Sequence, residues 1–186
     1  KLRLHNKKPN NENWEKMINK IKNIKDEFVT VAIVGKYVQL EDSYLSVIES
    51  LKHGGFANDI KVKIDLIDSE SITNKNVNKI LSKYDGIIVP GGFGTRGTEG
   101  KLETIKYARE NDVPFLGICL GMQMAVIEFA RNVANLEDAN SEELDKNCKN
   151  PVIHIMEDQK DIHKKGGTMR LGAYPCLLYT SDAADD

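Results

Sequence analysis

The chain has 186 residues, of which 40% are hydrophobic and 29% charged, and its formal net charge is −2. That length suffices for one domain with a substantial core but not for two full ones. The balanced charge argues against nucleic acid or a membrane surface as the main partner, no apolar run approaches a membrane span, and three scattered cysteines fit a reducing cytoplasm better than a disulfide or zinc framework.

In chain order, residues 1–27 are polar and lysine-rich, with Trp14, Met17, Ile18 and Ile21 at helical spacing. Val29–Val34 (VTVAIV) is short, apolar and β-branched, the pattern of a buried parallel strand. Ser43 is a candidate N-cap for a helix carrying Tyr44, Val47, Ile48 and Leu51, and Gly54-Gly55 is the expected stop. Lys61–Ile67 alternates as a strand. Val77, Ile80, Leu81 and Tyr84 mark a helical face, and Gly86–Val89 is a third strand. A glycine-rich loop from Pro90 leads to a helix through Leu102, Ile105 and Ala108, ending near Asn111. Phe115–Ile118 is a fourth strand and Leu120–Val133 a helix. Residues 135–151 read as polar loop or short helix, and Pro151–Met156 as a further strand. This alternation predicts an α/β fold, a doubly wound, mostly parallel sheet with helices on both faces. In such a sheet the functional loops lie at the carboxyl ends of the strands, which places the 35–43 loop, the 90–97 loop and Cys119 on one rim.

Two segments on that rim carry chemistry. Gly117-Ile118-Cys119-Leu120-Gly121 takes a strand into a cysteine and directly into a helix. Glycines two before and two after permit a sharp turn, the nucleophile-elbow pattern with sulfur as the nucleophile. The helix N-terminus that follows suits an anionic sulfur, and its first N–H, that of Leu120, could bind an oxyanion. The plain alternative is a small buried cysteine at a strand end. The second segment, Pro90–Gly97 (PGGFGTRG), has four glycines in eight residues after a buried strand. It lacks the Lys-Ser/Thr ending of a phosphate loop and does not match the dinucleotide fingerprint. An N–H of Gly92 as a second oxyanion donor is the reading that uses both loops; a flexible loop is the alternative.

From Val29 to Cys176 the sequence resembles the glutaminase domain of the CTP synthase family, a class I glutamine amidotransferase domain. The resemblance rests on VGKY at 34–37, SVIESLKHGG at 46–55, VPGGFGTRGTEGK at 89–101, GICLGMQ at 117–123, FARNVANLEDANSEE at 129–143 and GGTMRLGA at 166–173. GICLGMQ marks the wider amidotransferase class, while SVIESLKHGG and GGTMRLG narrow it. By resemblance, Cys119 is the nucleophile that forms a γ-glutamyl thioester and releases ammonia. Gly92 and Leu120 form the oxyanion hole. Gly92, Leu120, Gly121, Met122, Gln123, Glu143 and Arg170 bind glutamine, with Glu143 on the α-amino group and Arg170 suited to the carboxylate. Arg96, Gly97 and Glu99 match a lid linked to activation by GTP. No metal site is expected within these residues; ATP and Mg belong to the family's synthetase domain. Further expected partners are that synthetase domain and the other copies of a homotetramer.

The family's base is a histidine followed two residues later by glutamate. None of His5, His53, His154 and His163 has that context. The resemblance also stops near Cys176. The expected organisation is therefore a piece of a longer chain: 1–28 a linker from the synthetase domain, 29–176 a partial amidotransferase domain, and 177–186 a non-native tail. The implied activity is glutamine hydrolysis feeding ATP-dependent amination of UTP to CTP, with this piece itself inactive. The rivals are an amidotransferase serving another synthetase and a non-catalytic domain that binds glutamine or a nucleotide.

Overall fold

A computed structural model describes residues 9–156. Four strands, β1 (Phe28–Gly35), β2 (Lys61–Asp68), β3 (Gly86–Val89) and β4 (Phe115–Gly117), form one sheet in the order β2-β1-β3-β4 with every pairing parallel. β1 is central, and its last residues, Ala32 to Gly35, are buried. Its side chains alternate between two apolar clusters, as a pleated strand covered on both faces requires. Ala32 and Val34 join Ile87, Val89, Ile105, Met124 and Ile127 on one face, whereas Ile33 joins Tyr44 and Ile88 on the other.

The helices α3 (Val77–Leu81), α4 (Thr98–Glu110) and α5 (Leu120–Asn132) supply the first cluster, and α2 (Leu45–Ala57) flanks the second. The parallel alternation expected from the sequence is thus present, with helices on both faces. A separate two-stranded parallel sheet pairs β5 (Ala139–Ser141) with β6 (Asn150–Ile153). Arg131 of α5 donates to the Ala139 carbonyl at 2.6 Å and ties that sheet to the helix before it. Residues 9–153 fall in one compact unit.

Several local expectations are corrected. α2 runs through Gly54 and Gly55 to Ala57 and is capped by Asn58, so the glycines do not stop it. Gly55 serves packing: a methyl there would lie 2.7 Å from both the Ile60 carbonyl oxygen and Val62 Cγ2, closer than atoms can approach. Ser43 is not the N-cap. It lies in a 3-10 turn, Glu41–Tyr44, and Tyr44 takes the cap position without a side-chain bond. His53 accordingly lies inside α2. Tyr84 lies beyond α3, and strand β5 occupies part of the stretch read as loop. The expected N-terminal helix is present as α1 (Glu12–Lys22), but none of its residues is buried.

Candidate active site

The carboxyl ends of β1, β3 and β4 open onto one rim, and each contributes a loop. The last of them is the shortest: β4 ends at Gly117 and α5 starts at Leu120. Between them, Cys119 adopts φ 53°, ψ −109°. A non-glycine residue held there is strained by roughly 1–3 kcal/mol, and such strain persists only where surroundings enforce it. The flanking glycines are that enforcement. A methyl on Gly117 would lie 2.6 Å from the Gly121 carbonyl carbon and the Met122 nitrogen, and one on Gly121 would collide with the Val89 carbonyl. The chain therefore doubles back so tightly that only glycine fits on either side, and the cysteine is pushed outward with its side chain exposed.

The glycine loop after β3 approaches the same point. A methyl on Gly91 would lie 3.3 Å from Cys119 Cβ and 3.9 Å from its Sγ. One on Gly92 would lie 3.0 Å from Lys36 Cε and 3.9 Å from Leu120 Cδ2. Cys119, Leu120 and Gly92 are brought together as expected. Gly91, assigned no role from the sequence, is the loop glycine whose added methyl would meet Cys119. The N–H groups of Gly121 and Gln123 donate to the carbonyls of Ile118 (2.9 Å) and Cys119 (3.1 Å). Both are committed to the turn. Met122 is half exposed on the first turn of α5.

The third loop adds charge. Lys36, the first residue beyond β1, is buried, and its ammonium donates to the Phe93 carbonyl. Burial lowers its pKa most, the Arg96 charge lowers it further, and Glu143 and Glu70 oppose the shift. Glu143 follows β5, so the small sheet brings its carboxylate into the field of this rim. Arg96 donates to the Lys36 carbonyl at 3.0 Å and pairs with Glu70 at 3.7 Å. Gly97 caps α4 with φ +72°, a left-handed conformation at which the Ser69 hydroxyl occupies the space of a Cβ. Glu99 sits exposed in the first turn of α4. Lys36 carried a signal in the sequence, a single cation directly after an apolar parallel strand and its terminal glycine; its partner on another loop had none. Arg170 lies outside the described residues.

A family model described as "Glutamine amidotransferase class-I" matches residues 39–185, most of the chain. The chain belongs to the class-I glutamine amidotransferases. Among amidotransferase relatives, the CTP synthase of Clostridium acetobutylicum is 57% identical over 186 residues, all of this chain and 35% of that one. The CTP synthase of Methanocaldococcus jannaschii is 55% identical over 184 residues, 96% of this chain and 34% of its own length. The chain thus spans about a third of the length of the curated relatives it matches. A solved structure described as Trypanosoma brucei CTPS, glutaminase domain with bound acivicin, superposes with a TM-score of 0.65 at 43% identity, covering 70% of this chain and 51% of that one. The strained cysteine and glycine loop of the present amidotransferase lie within the matched range.

Proposed function

We propose that this chain is the glutamine-hydrolysing part of an enzyme that forms CTP. The observation that carries the reading is Cys119, strained and exposed at the β4–α5 turn and overlain by Gly91. Its sulfur attacks the side-chain amide of glutamine. The carbonyl oxygen becomes an oxyanion, which the N–H of Leu120 and an N–H of the Gly91–Gly92 segment stabilise. Collapse expels ammonia and leaves a γ-glutamyl thioester, which water then cleaves. Glu143 takes the α-amino group of the substrate and Arg170 its carboxylate, with Met122 and Gln123 at the pocket wall.

His53 is not the proton-handling partner of Cys119 in this reading, since it lies exposed within α2, with its ring 6.1 Å from that of Phe56. That role falls to a histidine of the whole enzyme outside residues 9–156. The ammonia is passed to a synthetase region that aminates UTP with ATP and magnesium, in a cytoplasmic homotetramer. Among the described residues, no group of His, Cys, Asp and Glu is arranged to hold a metal, so none is assigned to magnesium. No helix among them is long and apolar enough to cross a membrane. Arg96, Gly97 and Glu99, at the loop-to-helix junction, form a lid through which GTP stimulates glutamine use.

The test is Cys119→Ala in the complete enzyme that carries this sequence. Glutamine-dependent CTP formation should fall to background while formation from added ammonium salt stays near the parent rate. Loss of both would show that Cys119 supports the fold rather than the chemistry, and retention of both would remove it from the mechanism.

A further inference from the structure

A loop with four glycines has little conformational preference of its own, yet an oxyanion donor must be held in place before the substrate arrives. Something must restrain the 90–97 loop. The restraint starts at the end of β1. The hydroxyl of Tyr44 accepts from the N–H of Lys36 at 3.2 Å and from that of Tyr37 at 3.3 Å. This hydroxyl fits because residue 35 is glycine: any Cβ there would collide with it. The backbone at Lys36 is therefore fixed from beneath, by a buried side chain of the second apolar cluster.

From that fixed base the Lys36 side chain crosses to the glycine loop. Its Cε lies where a methyl on Gly92 would press on it, at 3.0 Å, and its ammonium donates to the carbonyl of Phe93. Arg96 returns the link by donating to the carbonyl of Lys36. The loop is thus tied at Phe93 and at Arg96 to Lys36, the residue that follows β1. Burying a lysine costs free energy, and the hydrogen bond to the Phe93 carbonyl offsets part of that cost. Glu143 and Glu70 offset the cost in part.

We propose that Lys36 is a positioning residue for amide cleavage: anchored on the Phe93 carbonyl, it holds the Gly91–Phe93 segment against Cys119 and Leu120, ready to receive the oxyanion. This rests on the reading of Cys119 as the nucleophile. Lys36 acts through the loop.

The experiment compares Lys36→Met and Lys36→Arg with the parent, all in the complete enzyme that carries this sequence. Amide hydrogen exchange reports the loop directly. Lys36→Met should raise exchange at residues 91–94 by about tenfold or more, with β1, β3 and β4 unchanged, and Lys36→Arg should restore part of the protection. Labelling of Cys119, read by mass spectrometry, reports the consequence. A chloroketone derived from glutamine should label Lys36→Met about 10²-fold more slowly, the scale expected for a displaced catalytic group. Iodoacetamide, which needs no oxyanion donor, should label both at the same rate.

Unchanged exchange at 91–94 overturns the proposal. Faster exchange throughout the sheet also overturns it, since Lys36 would then be a general stabiliser. If Lys36→Met does not fold, Lys36→Gln, shorter and neutral, is read in the same way. Should the chloroketone ignore Cys119 in the parent chain, the nucleophile assignment fails, while the exchange result still decides whether Lys36 holds the loop.

Discussion

Two residues on the rim are held at a cost, and the costs differ in kind. Cys119 stores backbone strain, whereas Lys101 stores electrostatic strain. Lys101 is fully buried in α4, and neither its Nζ nor the buried Ser69 Oγ has a hydrogen-bond partner among the described residues. Burial chiefly, then the charges of Lys36 and Arg96, pull its pKa down to about 8. The ordinary value is 10.5, so between about pH 8 and pH 10.5 the unfolded chain binds more protons at this site than the folded one. Stability then rises with pH across that window, and below about pH 8 the full penalty is present. Lys101→Met removes the charge and keeps most of the volume. It should stabilise the protein at pH 7 by roughly 2–3 kcal/mol, and its advantage should shrink toward zero by about pH 10.5. Urea melts of both proteins at pH 7 and pH 10 check this; an advantage that does not change with pH would mean the buried amine is not the cause.

At the scale of elements, the rim depends on α4 and α5, since α4 anchors the end of the glycine loop and α5 carries Cys119 at its start. The two helices are joined by a charge pair. Glu128 of α5, 1% exposed, accepts from Arg109 Nε at 3.0 Å and Nη2 at 2.8 Å, and from Asn132 at 3.0 Å. Removing one partner leaves a buried charge without compensation. Arg109→Met should therefore destabilise the fold by roughly 2–4 kcal/mol, while the double variant Arg109→Met with Glu128→Leu should recover most of that loss. Thermal melts of the two variants test it, and an unrecovered double variant would point to packing rather than charge. The elements themselves were largely legible. Short apolar runs marked β1, β3 and β4, alternation marked β2, and a 3.6-residue period marked the helices between them, because these segments bury whole faces. β5 escaped, because its short run Ala139–Ser141 is held by a hydrogen bond from Arg131 and by pairing with β6, neither of which shows in local hydrophobicity. Gly54-Gly55 misled for the opposite reason: glycine served a close helix–strand approach, and nothing local separates that from a stop. The site divides in the same way. Cys119, Leu120 and the flanking glycines are contiguous, so the turn could be read directly. Gly91 beside the sulfur and Lys36 on Phe93 arise where separate loops meet in space.

Across the whole molecule the sheet is covered unequally. α3, α4 and α5 cover one face, and α2 packs on the other against β1 and β2. Beside α2 lies an open groove of about 570 Å³, lined by residues that include Val31, Leu51, Val62, Ile88 and Leu116. Leu116, on β4, is 54% exposed, and β4 has no strand on its outer side among the described residues. Alternating strands and helices in a sequence predict that both faces receive helices, but not how evenly, since each crossover can pass over either face only once its strand position is known. An apolar groove next to an unpaired strand edge is the arrangement that favours association with other apolar surface. The 186-residue chain in isolation should therefore bind an apolar fluorescent dye and show a sedimentation coefficient that rises with concentration. Leu116→Lys should reduce both effects, because a lysine on an edge strand resists pairing and presents a charge to the groove. Since the side chain it replaces is more than half exposed, the variant should lose no more than about 1 kcal/mol of stability and keep its circular dichroism spectrum. A parent chain that neither binds the dye nor associates would mean that this face is covered in solution, and the substitution should then destabilise instead, by the roughly 2–5 kcal/mol typical of disrupted apolar packing.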